Sequence, residues 1–354
     1  MEALDTLLTA LELDPRQGLT IISANELAAA YFAPLNPDLG ALIIDFGSSN
    51  RTERVLSVLR SLYPHDQRIA LYREQGGPVL NMSLADLEAD TQALGLYLPP
   101  LEPHSSFESL QNTVAQLRAP DGCPWDREQT HESLRKHLLE EAYETLEALD
   151  QANLEGLQEE LGDLLLQILM HAQIASEDGN FRMSDVVYGI QTKLIRRHPH
   201  VFGDVEVSSV DQVLNNWEHY KSEEKIGGPL DGVPRSLPAL AQSAELQDRA
   251  GRIGFDWTAT DHHQRTAEGE FSWLTGEGDQ QLRSEQLGDL LFAVVNYARR
   301  IKVDAEAELQ RANQKFRAQF ASLLEAVSES DQRLEDLEIA DLTQLWDDAR
   351  EAAD

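Results

Sequence analysis

The chain has 354 residues, enough for two or three domains at roughly 150 residues each and for a substantial buried core. Its 62 acidic and 29 basic residues give a net charge of −33, which excludes bulk electrostatic binding to nucleic acid or an anionic membrane and favours cations as partners. A hydrophobic share of 42% is that of a globular protein, and the single cysteine, Cys123, excludes a disulfide framework or a Cys-rich metal site.

The first residues, Met1–Asp14, carry acids rather than the basic run of a secretory signal. The longest apolar runs, Leu39–Ile44 and Leu164–Met170, are far short of the ~20 residues of a membrane-spanning helix. A cytoplasmic location is expected. Residues 1–104 contain short apolar runs at Leu19–Ser23, Gly40–Asp45 and Arg68–Tyr72, with helix-like stretches at Thr52–Leu62 and Ser83–Ala93. That alternation predicts a small α/β domain. The proline-rich run Leu98–Pro103 closes it.

Residues 105–225 read as helices throughout. Leu138, Leu139, Ala142, Tyr143 and Leu146 recur at helical spacing, as do Leu157, Leu161, Leu164, Leu165 and Ile168. A linker follows at 226–235. Residues 236–354 are helical again and end in an acidic tail. Leu161-Gly-Asp-Leu-Leu-Leu returns as Leu287-Gly-Asp-Leu-Leu-Phe, with His171-Ala-Gln standing where Tyr297-Ala-Arg stands in the second stretch. Two copies of one helical unit is the economical reading.

The chemistry concentrates in Glu140-Glu141-Ala142-Tyr143-Glu144 and Glu160-Leu161-Gly162-Asp163. Residues three apart share a helix face, so Glu141 pairs with Glu144 and Glu160 with Asp163. Asp150-Gln-Ala-Asn-Leu154 can turn the chain between them and set the pairs face to face. Four carboxylates so close repel and cannot all stay ionised without a cation. Oxygen ligands alone favour Mg²⁺ or Mn²⁺. A di-iron bundle needs two Glu-x-x-His units, and Glu128-x-x-His131 is the one such unit nearby.

E-E-x-x-E followed by E-x-x-D resembles the signature of the MazG-type nucleoside triphosphate pyrophosphohydrolases. Gly122-Cys-Pro-Trp-Asp126, Arg197-His-Pro-His-Val-Phe202 and Gly254-Phe-Asp-Trp257 carry the same resemblance, which spans roughly Phe107 to Trp346. It implies a mainly α protein: two all-α helical bundle units behind the small N-terminal α/β domain. It also implies Mg²⁺-dependent hydrolysis of a nucleoside triphosphate to the monophosphate and pyrophosphate, and a homodimer. Carried over by position, Glu141, Glu144, Glu160 and Asp163 are the metal ligands. Glu140 is either a group behind them or the base that orients the attacking water.

Lys193, Arg196 and Arg197 form a basic cluster on one helical face and are candidate contacts to the substrate phosphates. His198 and His200 read as packing or helix-ending residues around Pro199, with metal ligation as the alternative. Trp125 either anchors a turn or stacks on a base. In the second copy the four ligand positions are damaged. A gapped alignment sets Gly269–Trp273 against E-E-x-x-E, and an ungapped one puts the ligands at Ala267, Glu270, Gln286 and Asp289. Each leaves two carboxylates of four, so the first copy is expected to carry the chemistry. Glu268, Glu277, Asp279 and Glu285 could rebuild the second site, and Lys315 and Arg317 could give it weak nucleotide binding.

Residues 1–104 resemble the latter half of a tetrapyrrole methylase domain through Leu94-Gly-Leu-Tyr-Leu-Pro-Pro100. They hold no G-x-G-x-x-G string, so methyl transfer is not expected. The rival reading of the whole chain is a non-catalytic nucleotide-binding or scaffold protein.

Overall fold

Apolar runs of four or five residues bounded by turns become the strands of one mixed sheet. They are β1 (Leu19–Ser23), β2 (Gly40–Ile44), β3 (Arg68–Tyr72), β4 (Val79–Ser83) and β5 (Gly95–Leu98), in the order β1-β2-β5-β3-β4. The computed structural model describes residues 2–46, 52–88, 91–101, 104–223, 228, 230–255, 280–329, 334 and 337–353. The chain divides into two compact units, Met1–Thr192 and Lys193–Asp354.

In the first unit β1 and β2 run parallel, and every other pairing is antiparallel. Strand β2 lies inside the sheet with both faces covered, which is why it reads as a continuous apolar run. Ala41 and Ile43 point into a core with Leu27 of α2 (Ala24–Ala29) and Val55 and Leu59 of α3 (Thr52–Leu59). Leu42 points the other way, against Leu7 of α1 (Glu2–Ala10) and Tyr72. The period of two in the strand decides which face each residue covers.

The helix expected over Ser83–Ala93 does not form. Ser83 ends β4, and a single 3₁₀ turn, Leu84–Asp86, follows, with the Ser83 hydroxyl accepting from the Ala85 N–H. The leucine spacing that suggested a helix serves this one turn, which drops Leu84 and Leu87 into the sheet core.

Helix α4 (Phe107–Arg118) starts at Ser106, whose hydroxyl accepts from the Ser109 N–H. Ser106 Oγ also donates to Asp38 Oδ2 at 2.5 Å, and the Ser105 N–H donates to Asp38 Oδ1 at 2.9 Å. After α5 (Pro124–Glu128) come α6 (Arg135–Asp150) and α7 (Leu154–Glu177). These two pack side by side and are joined by Gln151, Ala152 and Asn153. Asn153 caps α7 by accepting from the Gly156 N–H, so the expected turn at Asp150–Leu154 is present. Val114, Leu134, Leu169, Met170 and Ile174 form the helical core of this unit. Helix α8 (Met183–Arg197) runs out of the first unit into the second.

The second unit continues with α9 (Pro199–Phe202), α10 (Val210–Glu223), α11 (Ala239–Arg252), α12 (Gln280–Arg300), α13 (Ala305–Glu329) and α14 (Ile339–Ala353). Helix α11 packs on α12 and α13, and α13 packs on α14 through Leu323, Val327 and Ala349.

Candidate metal centre

The short connection makes α6 and α7 an antiparallel hairpin, and this brings distant acids together. Glu141, Glu144 and Glu160 each offer a carboxylate oxygen within 4.8 Å of the others. Glu141 and Glu160 are half-buried, and Glu144 is exposed. Burial first, then the charges of Asp163, Glu144 and Glu160, push the Glu141 carboxyl above its ordinary pKa; a hydrogen bond to Glu144 adds to the shift. Glu160 is raised as well, by burial and then by Glu144, Asp163 and Glu159. Asp163 therefore belongs to the same electrostatic group.

A cluster whose acids are raised by burial and by mutual repulsion is stabilised by a compact positive charge. Its donors are all carboxylate oxygens, the set that suits a hard divalent ion. A Mg²⁺ or Mn²⁺ ion thus fits the residues present.

Glu140, one position along, is exposed and is not among the three acids whose oxygens meet. Its Oε2 lies 3.0 Å from Nδ1 of His137 in the preceding turn of α6. Lys193, Arg196 and Arg197 come at the end of α8, within the second unit. The Arg197 guanidinium lies over the Trp217 ring, 5.2 Å from its centroid, and His198 meets the same ring edge-on at 4.7 Å. The His198 Nδ1–H donates to the Leu194 carbonyl at 2.7 Å, which suits the helix-ending role expected of it. Trp125 is exposed on α5.

The Gly122-Cys-Pro-Trp-Asp126 motif has a steric basis. A Cβ on Gly122 would collide with the backbone carbonyls of Gln116 and Leu117, so the tight turn from α4 into α5 requires glycine. Arg118 then holds this turn. It donates to the carbonyls of Asp126 and Gln129 and to the carboxylate of Glu177 at the end of α7. Arg249 plays the corresponding part in the second unit, donating to Glu245 and to the carbonyls of Asp231 and Gly232. The Arg-Ala dipeptide ahead of both motifs was the available sequence signal for these clamps.

Of the second copy's candidate ligands, Gln286 and Asp289 lie on α12, whereas Ala267, Glu270 and the Gly269–Trp273 stretch fall outside the described residues, as do Glu268, Glu277 and Asp279.

Residues 129–202 match the model of the MazG nucleotide pyrophosphohydrolase domain, and this stretch contains the whole carboxylate cluster. A Thermotoga maritima protein named nucleoside triphosphate pyrophosphohydrolase/pyrophosphatase MazG is 41% identical over 69% of this chain and 95% of its own length. The chain belongs to the MazG family of nucleoside triphosphate pyrophosphohydrolases. An Escherichia coli MazG relative named nucleoside triphosphate pyrophosphohydrolase is 37% identical over 68% of this chain and 96% of its own. The Bacillus subtilis protein YabN, described as uncharacterized, is 36% identical over 98% of this chain and 74% of its own length, so its likeness extends into the sheet-bearing segment ahead of the MazG helices.

Beside the acids, Leu165 and Leu166 of α7 pack against the helical core, but a second set of leucines is open. Leu139, Leu146 and Leu149 of α6 and Leu161 of α7 are exposed, while α6 turns its small residues, Thr145 and Ala148, inward. Gly162 stands mid-helix beside Leu161, and a Cβ there would meet nothing within 4 Å. Glycine at such a position costs about 1 kcal/mol of helix propensity and relieves no contact within the described chain. No helix among the described residues is long and apolar enough to cross a membrane.

Proposed function

We propose that this chain hydrolyses nucleoside triphosphates to nucleoside monophosphates and pyrophosphate, using Mg²⁺ or Mn²⁺ held by Glu141, Glu144, Glu160 and Asp163. The observation that carries the reading is the convergence of Glu141, Glu144 and Glu160 within the stretch that matches the MazG domain. A triphosphate is polyanionic, and a chain of net charge −33 repels it. The bound ion would supply the missing positive charge and a water of lowered pKa.

The protein's own residues do the rest. Water adds at the α-phosphorus, the bond to the bridging oxygen breaks, and pyrophosphate leaves with the electron pair. Glu140, paired with His137, orients the water or receives its proton. Lys193, Arg196 and Arg197 grip the phosphate oxygens that the ion leaves uncovered. The first helical copy, residues 105–225, is catalytic. The second, residues 236–354, serves packing and association, and 226–235 link them. The open leucine face and Gly162 support a homodimer in which a second copy's helices cover α6 and α7. The cytoplasmic location expected from the sequence is kept.

The test is pyrophosphate release from a panel of nucleoside triphosphates with Mg²⁺, comparing the wild type with Glu144→Ala and Asp289→Ala. Release is expected to vanish in Glu144→Ala and to persist in Asp289→Ala. Loss in Asp289→Ala alone would move the chemistry to the second copy. No release by the wild type from any triphosphate would leave a nucleotide-binding protein without catalysis.

A further inference from the structure

Beyond the carboxylates, a polar contact joins the turn ahead of α6 to α7. Nδ1 of His131 and Nδ1 of His171 lie 2.8 Å apart. The ring planes differ by 6°, and the centroids are 5.1 Å apart. That separation is the N–N distance plus the centroid-to-nitrogen distance of each ring. Both nitrogens therefore lie on the line between the centroids, and the rings are coplanar and end to end rather than face to face. This is the alignment of an N–H···N hydrogen bond, with one ring donating from Nδ1–H and the other accepting.

Both partners are held in place by their surroundings. His131 belongs to the turn that launches α6. There the Thr130 N–H donates to Ser133 Oγ, the Ser133 N–H donates back to Thr130 Oγ1, and Ser133 Oγ donates to Gln129 Oε1. Leu134, next in the chain, is buried against Leu169, Met170 and Ile174. His171 is half-buried, and its Nε2 is enclosed with no partner, so the Nδ1 contact is its hydrogen bond to the protein among the described residues. Burial and the neighbouring imidazole hold the His171 pKa below its ordinary value, which keeps the ring neutral and able to share a proton.

The pair is in register with the acids. His131 lies ten residues before Glu141, and His171 lies eleven residues after Glu160. On an antiparallel hairpin these steps run the same way along the axis, so the two contacts are rungs of one ladder. On α7, Glu160, Asp163, Gln167 and His171 share a face at helical spacing. A slip of α6 by one turn would move its acids by about 5.4 Å. That exceeds the 4.8 Å within which Glu141, Glu144 and Glu160 now meet.

We propose that His131 and His171 are positioning residues for the metal centre, their Nδ1–Nδ1 bond fixing the axial register of α6 on α7. The inference rests on the metal-centre reading of Glu141, Glu144, Glu160 and Asp163. It assigns a function to the Glu128-x-x-His131 stretch other than metal ligation: the histidine serves the centre from a distance.

The experiment titrates Mn²⁺ by electron paramagnetic resonance on the full chain and measures pyrophosphate release against Mg²⁺ concentration. The variants are His131→Ala, His131→Asn and His131→Gln. Asparagine places a hydrogen-bonding atom where Nδ1 stands, and glutamine places one where Nε2 stands. His131→Ala is expected to raise the half-saturating Mn²⁺ concentration about fivefold, the scale of one net hydrogen bond. Its pyrophosphate release should recover at high Mg²⁺. His131→Asn should restore wild-type metal affinity, and His131→Gln should not. A merely structural histidine would lower the melting temperature and leave metal affinity unchanged. Unchanged Mn²⁺ affinity in a folded His131→Ala would overturn the proposal, as would equal affinities in the Asn and Gln variants, a comparison that holds even if the alanine variant fails to fold. If the wild type binds no Mn²⁺, the metal centre itself falls and this inference with it, an outcome distinct from a wild type that binds and variants that match it.

Discussion

Arg118 and Glu177, 59 residues apart in the chain, face each other fork to fork: Nε donates to Oε1 at 3.0 Å and Nη2 to Oε2 at 2.7 Å. The remaining Nη1 donates to the carbonyls of Asp126 and Gln129. One guanidinium thus ties the ends of α4, α5 and α7. The arginine is nearly buried, and the glutamate is more open. Removing the arginine strands two carbonyls and a carboxylate at once.

Arg118→Ala is therefore expected to cost about 2–4 kcal/mol in urea unfolding. Arg118→Lys should restore little, because an ammonium cannot span both oxygens and both carbonyls. Hydrogen bonds from Arg118 hold the Glu177 carboxyl below its usual range. A lowered carboxylate stabilises the fold above its unfolded pKa, about 4.3, and loses that contribution as the pH falls through the folded value. The wild type should lose more stability than Arg118→Ala on acidification below about pH 4.

Glu141 and Glu160 behave with the opposite sign. Their pKa values are raised in the folded state, so the folded chain takes up protons before the unfolded chain does. In EDTA, stability should increase as the pH drops from neutral through the raised values, and level off near the unfolded value of about 4.3. Glu141→Gln should melt higher than wild type in EDTA at neutral pH. It should also lose the upward shift in melting temperature that Mg²⁺ gives the wild type. A melting temperature below wild type in EDTA would mean that packing at Glu141 outweighs its repulsion.

Asp38 is pulled down to about 2, first by the Ser106 hydroxyl, with the Ser105 N–H helping. Its contribution is present above about pH 4 and is lost as the pH falls towards 2. Asp38→Asn should abolish that limb of the acid-unfolding curve. Ser106→Ala, which also removes the cap of α4, should cost about 1 kcal/mol at neutral pH.

The open leucine face gives a test of association. Leu139→Asp and Leu146→Asp alter exposed positions, so each should fold with wild-type helicity by circular dichroism. Light scattering should show a dimer for the wild type and a monomer for each variant, with pyrophosphate release falling in parallel. A wild-type monomer with full activity would remove the partner copy from the centre.

The strands at Leu19, Gly40 and Arg68 were legible because each is a compact apolar run, and the observed β1 and β3 match those runs residue for residue. Strand β4 was not, because Asn81 and Ser83 interrupt its apolar pattern; its strand character comes from pairing with β3. Strand β5 was hidden in a run that its closing prolines mark as a break. The carboxylate pairs could be read from spacing alone, since a helix converts i, i+3 into a shared face. The His131–His171 bond could not, because its partners lie 40 residues apart and meet only through the register of two helices. Arg118 is hard to read for a related reason: the Arg-Ala dipeptide marks its position, but its partners Asp126, Gln129 and Glu177 all lie outside α4.

All four acids of the proposed centre fall within 23 consecutive residues, Glu141 to Asp163. Contacts so near in sequence form early, because little chain has to be ordered to close them. Their repulsion would therefore act while the hairpin is assembling and the rest of the chain is still loose. Divalent cations should consequently speed refolding as well as stabilise its product, and stopped-flow refolding rates should rise with Mg²⁺ in the wild type but not in Glu141→Gln. With the proposed metal centre, a cation would be required first by the folding hairpin, before any substrate arrives.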